Sequence, residues 1–103
     1  MQLIPILIIA LAAPMSAYAS ELCTRHGILA ETIMEARQAG VPQRQAAALT
    51  SAIDNSTVKN LADAMVEEAY KAPRTSSELG RTIEARLFSI RWEMKCEIAM
   101  ESE

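Results

Sequence analysis

The stretch that decides the fold is residues 75–97, TSSELGRTIEARLFSIRWEMKCE. Thr75-x-x-Glu78 carries the capping-box signature of a helix start, in which a hydroxyl and a carboxylate satisfy the free amides of the first turn. Behind it run two apolar stripes. Leu79, Ile83, Leu87, Ile90 and Met94 recur at steps of three and four, and Ala85, Phe88, Trp92 and Cys96 form a second row rotated well over a quarter turn from the first. A helix apolar on two sides is expected to sit between neighbours. Cys96 lies on the Phe88/Trp92 side, which favours a core role for those aromatics. The competing reading makes them an exposed patch for a partner.

The chain upstream has the same character. It is rich in Ala, Glu, Gln, Arg, Leu and Met, which lose little side-chain freedom in a helix. A first helix is expected over about Glu21–Ala39, with Leu22, His26, Leu29, Ile33 and Ala36 on one stripe. Gly40 ends it, with Val41-Pro42 beyond. A short second helix follows from Pro42 to about Ala52, turning Ala46, Leu49 and Ile53 inward. Asp54-Asn55-Ser56 offers N-caps for a third, about Thr57–Lys71, with Val58, Leu61, Ala62, Met65 and Ala69 on one face. Ala72-Pro73-Arg74 breaks it. Glu67 and Lys71 read as an i,i+4 ion pair.

Residues 1–19 read as an address. Leu3–Pro14 is an uncharged apolar run, and Ala17-x-Ala19 ends it as a signal-peptide cleavage site does, with the cut expected between Ala19 and Ser20. The run of about a dozen apolar residues falls short of the ~20 that span a bilayer. Residues 20–103 then form one helical domain in the periplasm or outside the cell. Both cysteines survive cleavage, and an oxidising compartment favours a Cys23–Cys96 disulfide over two free thiols. Such a bridge closes nearly the whole mature chain and is worth roughly 4 kcal/mol in the chain-entropy account. It also fixes topology. Helix 1 is about 27 Å long and bridged Cα atoms lie within about 7 Å, so the first and last helices must run antiparallel. The expected fold is an all-α, four-helix domain closed by that disulfide.

The chemistry-bearing residues are few. Ten Lys and Arg against thirteen Asp and Glu give a net charge of −3, which provides no basic footprint for nucleic acid. One His, two Cys and three Gly fall short of a four-ligand zinc site or a glycine-rich phosphate loop. No metal or cofactor is expected. His26 shares the stripe of Leu22 and Leu29, as a core histidine or a pH switch. Glu31/Glu35 and Glu67-Glu68 read as solvated faces, and Asn55-Ser56-Thr57 as a helix cap rather than a glycosylation site. The expectation is a protein that is not an enzyme.

The ordered residues Cys23 … Ile33-Met34-x-x-Arg37-Gln38-x-Gly40-Val41 … Ala69-Tyr70-x-x-Pro73 … Cys96 resemble a group of small exported proteins of Gram-negative bacteria, their prophages and phages, whose function is largely unassigned. The resemblance covers most of the mature chain. It implies a periplasmic location and a two-cysteine helical fold, and it carries no catalytic residues. The functional expectation is a small exported interaction module, for instance a phage-encoded factor that binds another protein or a cell-wall component of the envelope. The alternative is a periplasmic acid or stress chaperone. Met34, Arg37, Gln38 and Tyr70, at the ends of two helices, are the candidate partner-binding residues. In the competing reading Met34 and Tyr70 complete the core and Arg37 caps its own helix.

Overall fold

The computed structural model describes residues 3–101, with side chains from Glu21 onward. Four helices follow one another: α1 Leu3–Gln38, α2 Gln43–Thr50, α3 Ser56–Ala69 and α4 Glu78–Glu101. The signal-peptide segment expected at 1–19 falls outside the residues whose side chains are described. Among the described residues no helix is long and apolar enough to cross a membrane.

The first and last helices form the main packing unit, and they run antiparallel. The contacts descend α4 as they ascend α1. Cys23 is bonded to Cys96 with Cα atoms 5.3 Å apart, Glu31 lies 3.6 Å from Arg86, and Glu35 and Gln38 share a groove with Glu78, Arg81 and Thr82. Gly27 sits where the two helices approach closely. A Cβ there would lie 3.2 Å from the Ser89 carbonyl oxygen and 3.3 Å from Glu93 Cβ, so only glycine permits this spacing without a shift in α4. Leu61 in the first half of α3 lines one cleft with Leu22 and Trp92 beside the disulfide, and Tyr70 at its end reaches Val41. α3 therefore runs parallel to α1, and α2 returns between them.

One core ties the layers together: Ala30, Ile33 and Met34 from α1, Ala46 from α2, Met65, Val66 and Ala69 from α3, and Ala85, Phe88 and Trp92 from α4. Phe88 and Trp92 meet edge to face, ring centroids 6.3 Å apart, a geometry that aromatic quadrupoles favour.

Local details depart from the sequence expectations for identifiable reasons. The first turn of α4 is capped by Ser77, whose Oγ accepts from the Gly80 amide at 2.9 Å, because Thr75 is turned to Gln38: its hydroxyl and its amide donate to Gln38 Oε1 at 3.4 and 2.8 Å. Leu49 points to solvent because α2 turns Ala46 and Thr50 inward, and Thr50 donates to Asp63 at 2.8 Å. α3 ends at Ala69, which leaves Lys71 off the helix. The i,i+4 ion pairs formed are Glu21–Arg25 and Lys59–Asp63 rather than Glu67–Lys71. Asn55 caps α3 as expected, accepting from the Val58 amide at 3.0 Å.

Candidate functional site

α4 turns opposite sides to the protein and to solvent. Ala85, Phe88 and Trp92 are buried, while Leu79, Ile83, Leu87, Ile90, Met94 and Ile98 are 47–71% exposed. At 100° per residue the exposed row is centred on the side of the helix directly away from the buried one. The expectation that α4 sits between neighbours on both sides is therefore corrected. α1 packs along one side, and the two remaining helices, α2 and α3, are too short to wrap the other.

The row extends about 28 Å along the axis, at 1.5 Å per residue. Its apolar surface is on the order of 600 Å², at the upper end of what a monomer ordinarily shows in one patch. One border carries Arg86, Glu93 and Glu97, and the other carries Glu84, Arg91 and Lys95. Arg86 lies 3.6 Å from Glu31 and Arg91 3.9 Å from Glu68. These are long, solvent-exposed pairs worth little to the fold.

The residues singled out for partner binding sit elsewhere, in a tight polar joint. Met34 and Gln38 are buried. Gln38 Nε2 donates to the Pro73 carbonyl at 3.0 Å, and its Oε1 accepts the Thr75 amide. Arg37 donates to the Ala72 carbonyl at 3.0 Å, so it caps the 72–75 linker rather than its own helix. Its guanidinium also lies 5.3 Å from the centroid of the Tyr70 ring. Tyr70 Oη donates to the Val41 carbonyl at 2.6 Å, and burial raises its phenol pKa, partly offset by Arg37. Gly40 has φ +88°, the left-handed turn glycine favours, and any Cβ there would lie 3.1 Å from the Arg74 guanidinium. Thus α1 holds the linker that launches α4, and Tyr70 holds the turn that launches α2. Arg37 and Tyr70 keep partial exposure, whereas Met34 and Gln38 present almost none.

His26 lies half-buried in a cleft of about 180 Å³ beside the disulfide, lined also by Leu22, Leu61, Trp92, Lys95 and Met100. Burial lowers its pKa from the ordinary 6.5. The buried indole Nε1 of Trp92 has no hydrogen-bond acceptor among the described residues. No three His, Cys, Asp or Glu side chains converge as a metal site among the described residues.

No family model, curated protein or solved structure matches the chain. The outer row of α4 was visible in the sequence as a stripe. What sequence could not supply is that its large side chains stay exposed, because that depends on how many helices surround α4.

Proposed function

We propose that this protein is a small exported interaction module, non-enzymatic, that works in the periplasm by packing the outer face of α4 against another protein. The observation that carries the reading is that apolar face. Six large side chains stand exposed on a helix whose opposite side is packed in the core and tied by Cys23–Cys96. A disulfide-anchored helix is a rigid support, so little ordering entropy opposes docking. The mixed charges along the borders suit a protein surface, which carries both signs. They suit an anionic membrane poorly, since that attracts basic borders. The resemblance to small exported proteins of Gram-negative bacteria and their phages is consistent with an envelope setting, and the apolar residues of 3–14 are consistent with an export signal.

The test is photo-crosslinking in cells that export the full chain, with a photoreactive residue placed at Leu87 or, as a control, at the exposed Ala48 of α2. The reading expects crosslinked protein from position 87 in the periplasmic fraction and none from position 48. Equal yields from both, or none from 87, overturn it. A chaperone would instead give a broad set of adducts that grows as the pH falls.

A further inference from the structure

The exposed row of α4 is symmetric about its own midpoint. Measured from the point between Phe88 and Ser89, Leu87 and Ile90 are equidistant, as are Ile83 and Met94, and Leu79 and Ile98. Turning a second copy of the helix end for end therefore lays Leu87 on Ile90 and Ile83 on Met94 along the seam, with Leu79 and Ile98 on its two flanks. The spacing Ile83-Leu87-Ile90-Met94 is also four-three-four, the d-a-d-a alternation of a coiled-coil seam.

The borders decide the orientation. In an antiparallel pair, border residues face the same border of the partner helix. One border then places Glu84 beside Arg91 of the second copy, and the other places Arg86 beside Glu93. The two-fold axis repeats each pair, so four attractive contacts flank the seam. In a parallel pair, each border faces the opposite one five residues along, which sets Arg86 against Arg91 twice. The antiparallel arrangement is thus favoured on both borders, and the parallel one is opposed. If fully covered, two copies of the face bury at most about 1,200 Å² together, the lower end of the range of specific interfaces, which fits a dimer that dissociates on dilution.

We infer that the partner seated on this face is a second copy of the chain, in an antiparallel α4–α4 homodimer with Leu87 of one protomer against Ile90 of the other. The inference rests on the interaction-module reading and names its partner. The interface is isologous, as a two-fold axis through the 88/89 midpoint demands. The dimer leaves α1, α2 and α3 outward on both sides, so a further envelope component would meet a two-sided particle.

The experiment is sedimentation of the protein purified from cells expressing the full chain, over a wide dilution series, together with four variants. The expected result is a mass of two chains that falls to one on dilution. Leu87→Glu, which buries two like charges at the axis, abolishes the dimer while the thermal midpoint of the monomer holds. Arg86→Glu alone and Glu93→Arg alone each create two like-charge contacts and weaken association by roughly tenfold or more. The double variant Arg86→Glu/Glu93→Arg recreates both pairs with reversed sign and regains affinity. A mass of one chain at every concentration overturns the homodimer, and so does sedimentation of the monomer with phosphatidylglycerol vesicles. In either case the interaction-module reading stands or falls separately, by whether Leu87 crosslinks to another protein in cells. A dimer that survives Leu87→Glu refutes this face as its interface. Failure of the double variant to regain affinity refutes the antiparallel register.

Discussion

Gln38 shows how one buried amide can organise a linker that has no secondary structure of its own. Both ends of its side chain are used, the amide hydrogen on Pro73 and the carbonyl on the Thr75 amide, and its backbone carbonyl accepts from Arg74 at 3.2 Å. Replacing it by Ala leaves a buried N–H without a partner and a carbonyl likewise. Chemical denaturation should register a loss of about 2–3 kcal/mol. His26 offers a second test at this scale. Its neutral form is preferred in the fold, so the unfolded chain takes up a proton first as the pH falls through the ordinary value of 6.5. Stability should be full above that pH and decline below it. His26→Gln should flatten this part of the pH profile, and an unchanged profile would place the pH dependence elsewhere. The motif Arg37-Gln38-x-Gly40-Val41 was legible in the sequence as something specific. Its role was not, because the partners of Arg37 and Gln38 are carbonyls and an amide some 35 residues away, and a backbone group leaves no mark in the residue pattern.

At the scale of the elements, periodicity was the reliable signal. The spacing of Val58, Leu61, Ala62, Met65 and Ala69 puts them on one face of a helix, and the last three of these are buried. The short helix was harder. In eight residues of α2, Leu49 and Thr50 lie side by side, and hydrophobicity alone favours the leucine. The hydrogen bond from Thr50 to Asp63 reverses that choice, with Lys59 at 2.8 Å holding the Asp63 carboxyl below the usual carboxylate range. α4 starts two residues later than its capping signature implies for a similar reason, since Thr75 can cap the helix or bond Gln38 and does the latter. The pairing of α1 with α4 followed from the two cysteines together with the length of a helix. Opening that bridge by Cys96→Ser frees a loop that joins residues 73 apart in sequence and should cost about 4 kcal/mol. A thermal midpoint that hardly moves would show that the contacts along α1 and α4 suffice without it.

For the whole molecule, the number of helices matters more than any one of them. A core drawn from four helices, two of them short, covers one side of the long α4 and leaves large apolar side chains of the other exposed. The sequence showed both stripes of that helix but could not rank them, since Phe88 and Trp92 on one side and the aliphatic row on the other are equally apolar. Cys96 broke the tie by linking the aromatic side to α1. That outer side is then available for contact between chains and contributes little to folding of the single chain. The direct measurement is unfolding of the double variant Leu87→Gln/Ile90→Gln at concentrations low enough that association adds no stability. The expected free energy lies within about 0.5 kcal/mol of that of the unaltered protein, as for ordinary surface substitutions. A loss of roughly 3 kcal/mol or more, the scale of large-to-small changes in a core, would show that the chain buries this face itself, and the contact surface would have to lie elsewhere.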